Sequence, residues 1–424
     1  MKAFLKTVLE MYRQSKWTFF TVVMRSLRVL AVFKLFASFF GAPGIALLSH
    51  FQNLIALFTQ IPDQGTNLAI IREFNTLPIG KQGRFFFTAL VINLGVFMLI
   101  TVLVIINTGA FTRHFDTTTW PDYWLPALLF ILLFILLHAL CLAVLYANKL
   151  YRLLFFLTVI HLFVLLGVLY TGIHSNNLGL AMLAFALGHG LSGIAVIAVM
   201  ISKKIIPLTG WTYDKGMMHS IAYFMVMAIG GVLLGTFVDF FVRDFALGWF
   251  GVEETGYWQA QVRLSDSYRA VFLGTIGVVF YSGISSLLNS RNSLRPYLRH
   301  HLYITMILAF SGLLLVWLLR DYILVILYSD ALLPAGQFIH YQLLADFFAL
   351  PSFLLVYLLA ARRKTWLYLK VHFFSALSYI LLIIILTGWF KSGIAGLPLA
   401  NALRYCLFLI ILILSNRKYL FGHG

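Results

Sequence analysis

Charge is scarce in this sequence, and acid is scarcer still. Asp, Glu, Lys and Arg make up 11% of its 424 residues, where a soluble domain carries about 25%. Acidic residues number 14 against 31 Lys and Arg. The two cysteines, Cys141 and Cys406, are too few for a disulfide framework, and both sit in apolar runs as small hydrophobes. No Gly-Lys-Ser/Thr phosphate loop is present, which argues against ATP hydrolysis. The histidines are not spaced with acids or cysteines in the manner of metal ligands. The sequence therefore predicts no catalytic residue, no metal and no cofactor.

What it has is apolar length. Hydrophobic residues reach 61% and the mean hydropathy is +0.93. Runs long enough to cross about 30 Å of hydrocarbon recur along the whole chain. They predict an all-α polytopic membrane protein with about twelve spans: 17–40, 43–61, 84–107, 123–147, 151–172, 178–202, 217–242, 257–288, 302–328, 337–361, 366–388 and 393–415. Pro62 and Gly65 are expected to break the helix after the second span. Residues 1–16 read as a basic amphipathic lead-in on the cytoplasmic side, not a cleaved signal peptide.

A weak internal repeat suggests two six-helix bundles, 17–205 and 206–424. "FFGAPGIALL" follows the first span and "WFGVEETGYW" the seventh, pairing Gly41 with Gly251 and Gly44 with Gly256. Parallel six-span repeats are a common transporter plan.

The basic excess alternates by side. Lys16, Arg84, Lys149, Lys203, Arg299, Arg363 and Arg417 fall at one set of span ends. The opposite set collects Asp116, Asp122, Asp244, Glu253, Glu254 and Asp330, with Arg113, Arg243, Arg320 and Lys391 as its few cations. This is the positive-inside signature, so both termini are expected to be cytoplasmic, and the net charge of +17 is assigned to anionic lipid and not to nucleic acid. The longest far-side loops, 108–122 and 243–256, have only about 15 residues, too few for a domain with its own chemistry.

Several charges lie inside spans. Arg25 and Arg28 share one helix face, about 12 and 17 Å from Trp17 at 1.5 Å per residue. A cation at that depth costs roughly 2.5–3.5 kcal/mol on insertion scales. Either an acid on another helix pairs with them, or they face a wet cavity that receives an anion. Lys34 is close enough to an outer end to snorkel. In the eighth span Arg263, Asp266 and Arg269 are spaced three and three, and one acid cannot neutralise both arginines. Asp346, deep in its span, is a candidate proton relay or arginine partner. Asp63 is placed to pair at the break after the second span, and Asp239 fits an interface. Arg404 belongs to the last span. The cations Arg25, Arg28, Arg263, Arg269 and Arg404 thus outweigh the acids Asp63, Asp239, Asp266 and Asp346. They predict a cationic cavity for an anionic substrate, with the acids as coupling or ion-pair groups. The guanidinium fork suits phosphate.

Four segments carry a family likeness: "FKLFASFFGAPGIALLSHFQNLI" (33–55), "GYWQAQVRLSDSYRAVF" (256–272), "WLLRDYILVILYSD" (317–330) and "YQLLADFF" (341–348). From about residue 20 onward the chain resembles the Wzx flippases of the MOP exporter superfamily. The resemblance implies two six-helix bundles that work by alternating access in the bacterial inner membrane. The implied cargo is an undecaprenyl-pyrophosphate-linked oligosaccharide, an O-antigen or enterobacterial common antigen repeat unit of lipopolysaccharide-type biosynthesis. It would move from the cytoplasmic to the periplasmic leaflet, coupled to protons or sodium ions. Membrane lipid, a polysaccharide polymerase and a chain-length regulator are the implied partners. Arg25 and Lys34 fall where such sequences carry basic residues, Asp266 in "SDxY", Arg320 and Asp321 in "LLRD", and Asp346 in "QLxxD". Arg263 and Arg269 have no expected counterpart, and His372 stands where a Glu is expected. The alternatives are an O-antigen polymerase or ligase, which needs a sizeable far-side loop carrying Arg or His, and another MOP exporter. A multidrug cation exporter of that superfamily should have an acidic cavity.

Overall fold

A computed structural model describes residues 2–115, 120–206, 210–228, 234–273, 280, 284, 287, 291–362 and 364–421. Asp116, Arg363 and parts of the predicted seventh and eighth spans (229–233 and most of 274–290) lie outside the described residues.

The helices are α1 (Lys2–Glu73), α2 (Ile79–Ile106), α3 (Thr108–Thr112), α4 (Trp124–Ala147), α5 (Tyr151–Ile173), α6 (Leu178–Ser202) and α7 (Lys215–Ala228). They continue with α8 (Leu234–Phe272), α9 (Arg291–Leu318), α10 (Arg320–Leu327), α11 (Ile339–Ala361), α12 (Thr365–Ile383), α13 (Gly396–Ser415) and α14 (Arg417–Leu420). No strand occurs among the described residues. Nine stretches among these residues are long and apolar enough to cross a membrane, and the first, Lys16–Asp63, has 48 residues, room for two crossings.

The expected repeat has a structural counterpart. α1 and α8 each contain one non-helical residue, Gly41 (φ 62°, ψ −150°) and Gly251 (φ 82°, ψ 175°). Both lie in the region of backbone space open essentially to glycine alone. Each lets one long helix turn where the sequence reads Phe-Gly. A Cβ would meet Pro43 Cδ at 3.8 Å at Gly41 and nothing within 4 Å at Gly251. The constraint is therefore conformational. Gly41→Ala and Gly251→Ala should each lower stability in detergent by about 1–3 kcal/mol. Gly251→Leu should cost about as much as Gly251→Ala in the same thermal unfolding series. A far larger loss for leucine would move the cause from backbone to packing.

Three expectations are corrected. Pro62 and Gly65 do not end the helix, which runs on to Glu73. A Cβ on Gly65 would fall 2.4 Å from Met225 Cα, so this glycine admits α7 against α1. Segment 243–256 is not a loop but part of α8. Arg243, 5% exposed, donates from Nε to Gln259 Oε1 at 3.0 Å across the Gly251 kink. The ninth span ends at Leu318, and Arg320–Leu327 forms the separate helix α10.

The chain divides into two compact units, 1–28 with 48–240 and 29–47 with 241–424. In the first, α6 packs on both α4 and α5. Its "GHGLSG" run removes side-chain bulk at those contacts: a Cβ on Gly193 would sit 2.7 Å from Phe134 O of α4, and one on Gly188 would sit 2.8 Å from Leu165 of α5. Small residues allow such close approach where water cannot drive helix association. Leu140, Val144, Leu154 and Met200 fill the adjoining core. In the second unit α11 packs on α9 and α13, and α12 on α13, around Leu354, Leu358 and Leu412.

Candidate functional site

The close packing of α6 holds His189 between Gly188 and Gly190, facing a cavity of about 380 Å³ in the first unit. Its charged and imidazole lining comes from four helices: Arg25 and Arg28 on the first half of α1, Asp63 on its second half, His138 on α4, His161 on α5 and His189 on α6. Arg25 and Arg28 reach it together because residues three apart share a helix face. The Arg25 guanidinium lies 5.8 Å over the Tyr146 ring. Arg28 Nη1 lies 2.7 Å from His161 Nδ1, and His161 Nε2 lies 3.0 Å from His189 Nδ1. The His138 and His161 rings stand 5.3 Å apart. Thr158 turns its hydroxyl back onto Leu154 O at 2.8 Å and is satisfied within its own helix.

Asp63 is the one carboxylate lining this cavity among the described residues. Asn67 Nδ2 donates to its Oδ2 at 2.5 Å, and its Oδ1 is buried with no hydrogen-bond partner among the described residues. Neither Arg25 nor Arg28 forms a carboxylate ion pair among the described residues. With neutral imidazoles the lining carries two cations against one anion. The first of the two readings left open by the sequence, an acid on another helix paired with these arginines, is not found among the described residues.

The second unit treats its charges differently. Asp266 lies 2.6 Å from Arg269 Nη2 and 3.7 Å from Arg263 Nη1. Asp346, fully buried on α11, is 3.6 Å from Arg269 Nη1. It also accepts from Ser265 Oγ at 2.7 Å, from Gln342 Nε2 at 3.3 Å and from the Tyr268 hydroxyl. The net positive charge expected for 263–269 is thus offset by Asp346, an acid that reaches it from another helix. The Arg263 guanidinium lies 5.1 Å from the Phe33 ring. Arg404 is held between Tyr379 and Tyr405, at 4.8 and 4.5 Å. Asp239 is exposed on α8. Lys34 does not snorkel to open solvent: its Nζ donates to Val325 O at 2.8 Å, capping the last turn of α10.

No protein-family model matches the chain. Over 224 residues it is 22% identical to the Lipid III flippase of Escherichia coli K12, and equally to that of Shigella flexneri, covering 52% of this chain and 53% of each relative. The chain spans about half the length of these curated relatives. Likeness in structure runs further. The Lipid II flippase MurJ in an inward closed conformation matches with a TM-score of 0.71 over 96% of this chain and 87% of that one, at 16% identity. An inward-facing MATE-family multidrug resistance transporter of the MOP superfamily matches with a TM-score of 0.68 over 96% and 93%, at 13% identity. A point mutant of the Vibrio cholerae MATE transporter VcmN matches with 0.65 over 99% of both chains, at 15% identity. The chain shares the fold of these three structures.

Within this fold the sequence located Arg25, Arg28 and Asp63 but gave the histidines no role. The signal was one histidine near the middle of each of three successive spans, α4, α5 and α6. Separated by 23 and 28 positions, the three match no local motif, and only helix packing joins them. The Asp346 cluster had a clearer trace: Ser265 and Tyr268 lie three apart on α8, and Gln342 and Asp346 four apart on α11.

Proposed function

We propose that this chain is a flippase that moves an undecaprenyl-pyrophosphate-linked oligosaccharide from the cytoplasmic to the periplasmic leaflet of a bacterial inner membrane. The observation that carries the reading is the pair Arg25 and Arg28, half-buried at a polar cavity and without a carboxylate partner among the described residues. Two guanidinium groups in a low-dielectric site favour an anion with several oxygen acceptors. A pyrophosphate diester supplies such acceptors, and its charge is what keeps the carrier from crossing hydrocarbon unaided. The flippase names of the relatives and of MurJ agree with this cargo class. The fold is shared with multidrug transporters, but a cavity with more cations than anions suits a cationic drug poorly.

The charge alternation favours cytoplasmic termini, and the halves that alternate are 17–205 and 206–424, apart from 29–47 and 206–240, each of which belongs to the opposite compact unit. Without a nucleotide motif, direction comes from an ion gradient or from glycan consumption on the far side. Asp63, with one carboxylate oxygen unpartnered among the described residues, is the coupling acid that fits, for a proton or a sodium ion. A polysaccharide polymerase and a chain-length regulator are the partners that would draw the product away.

Reconstitution tests the reading. The chain is placed in liposomes with an undecaprenyl-pyrophosphate oligosaccharide, and a membrane-impermeant glycosidase scores the exposed fraction under an imposed ion gradient. The expected result is that inner-leaflet substrate becomes cleavable only in liposomes holding the protein. A protein-independent rate, with cognate glycan and gradient present, would leave only the fold.

A further inference from the structure

The hydrogen bonds in the first-unit cavity have a direction. An arginine N–H only donates, so His161 Nδ1, 2.7 Å from Arg28 Nη1, must be the acceptor and carry no proton. His161 is then neutral with its proton on Nε2, which donates across 3.0 Å to His189 Nδ1. The remaining proton of His189 sits on its own Nε2. The chain Arg28→His161→His189 fixes both tautomers, and a proton added at His161 Nδ1 removes the acceptor that holds Arg28. The groups facing these two rings are Arg25 and Arg28 from the first half of α1, Asp63 from its second half, and His138 and Tyr146 from α4. Among the described residues α5 and α6 bring no other titratable side chain to the cavity.

The geometry points to His161 and His189 as positioning residues that link the binding of a pyrophosphate diester to the uptake of one proton; this rests on the flippase reading above. In the resting arrangement the imidazoles occupy Arg28. When the diester enters, Arg28 turns from His161 Nδ1 to a phosphoryl oxygen. The vacated Nδ1 takes a proton from solvent water, and the imidazolium donates that N–H to the anion. Release reverses the steps and returns the proton to solvent. A third cation beside Arg25 and Arg28 is repelled by both unless an anion is present, so proton and anion each favour the other's binding by the same factor. The sign follows: affinity rises as pH falls through the imidazole range.

The test uses the full chain in detergent and a probe whose own charge is constant over that range, geranyl-pyrophosphoryl-N-acetylglucosamine, a pyrophosphate diester. Its affinity is measured at about pH 6 and about pH 8, for the native protein and for His161→Gln, His189→Gln and the double variant. Glutamine keeps hydrogen bonding but does not titrate. The native protein should bind at least roughly tenfold more tightly at the lower pH, within the ceiling of about 100-fold that one fully linked proton sets over two pH units. The double variant should bind with no dependence on pH. Asp63 and His138 are intact in that variant, so a slope that survives there belongs to one of them and overturns the proposal. A native affinity independent of pH overturns it as well, while leaving the flippase reading in place. No binding at either pH by native protein that flips the full substrate would overturn the cavity assignment, and no binding with no flipping would remove the flippase reading too. Dihexanoylphosphatidylglycerol, run in parallel, separates cargo from membrane phosphate. Equal affinity and slope would make this a lipid-headgroup site and overturn the assignment to cargo. Should glutamine at 161 prevent folding, histidine ¹⁵N spectra of the native protein give the same answer. Probe addition should convert the His161 Nδ1 signal from acceptor to N–H, and an unchanged signal overturns the proposal.

Discussion

Arg25→Gln together with Arg28→Gln should abolish flipping while the protein still inserts and folds. Each arginine would lose charge-assisted hydrogen bonds to the pyrophosphate, worth about 1.5–3 kcal/mol apiece. Losing both removes roughly 3–6 kcal/mol, a fall of at least about 100-fold in transport at limiting substrate. Folding should survive because neither side chain neutralises a carboxylate among the described residues: Arg28 holds an imidazole and Arg25 an aromatic face. Removing a cation that has no anion beside it in the membrane relieves a desolvation cost instead of creating one. Arg28→Lys keeps the charge but not the fork and should fall between native and glutamine. Glycosidase accessibility in liposomes reads the rate, and thermal unfolding in detergent reads the fold. Native rates in the double variant would take both arginines out of the site.

The second large effect is on stability. Arg269→Gln should destabilise the second unit by about 3–5 kcal/mol, because it leaves the buried Asp346 without its cation, and Asp346→Asn should cost somewhat less, because Asp266 still faces Arg269 at 2.6 Å. Asp346 has no exposure at all and four groups converge on it, from Ser265, Tyr268, Arg269 and Gln342. Asp266 is far more open, and its pairs with Arg263 and Arg269 add little. The double variant should cost less than the sum of the singles by about 1–3 kcal/mol, the coupling expected within one network. Unfolding midpoints of the four proteins in detergent measure this cycle. The same variants separate the two roles open to Asp346. If Asp346→Asn left stability unchanged but removed the ion-gradient dependence of flipping, the residue would be a relay and not an anchor.

The spans were legible because hydropathy over about twenty residues is set by the bilayer and needs no tertiary information. Trp124–Ala147, Tyr151–Ile173 and Leu178–Ser202 fall within a residue or so of their expected limits. Misreadings came where a contact decides the local structure. Pro62 and Gly65 look like a break, yet the glycine makes room for Met225 and the helix continues. Arg243 looks like a loop cation, yet it is buried and its Nε donates to Gln259 across a kink. The site divides the same way. Charges that do not belong in hydrocarbon announced themselves one by one, at Arg25, Arg28 and Asp346. Which charge meets which group depended on helix packing: Arg28 found an imidazole and Arg269 found Asp346.

The most direct test is to see where the cargo sits. An undecaprenyl-pyrophosphate oligosaccharide with a diazirine on its phosphate-proximal sugar is bound to the native chain in liposomes, photolysed and mapped by mass spectrometry. Cross-links are expected on the cavity peptides of the first unit, around Arg25 and Arg28, Asp63, His138 and His161, all suppressed by excess unlabelled substrate. Competable cross-links confined to the second unit, with the first-unit cavity unlabelled, would contradict it.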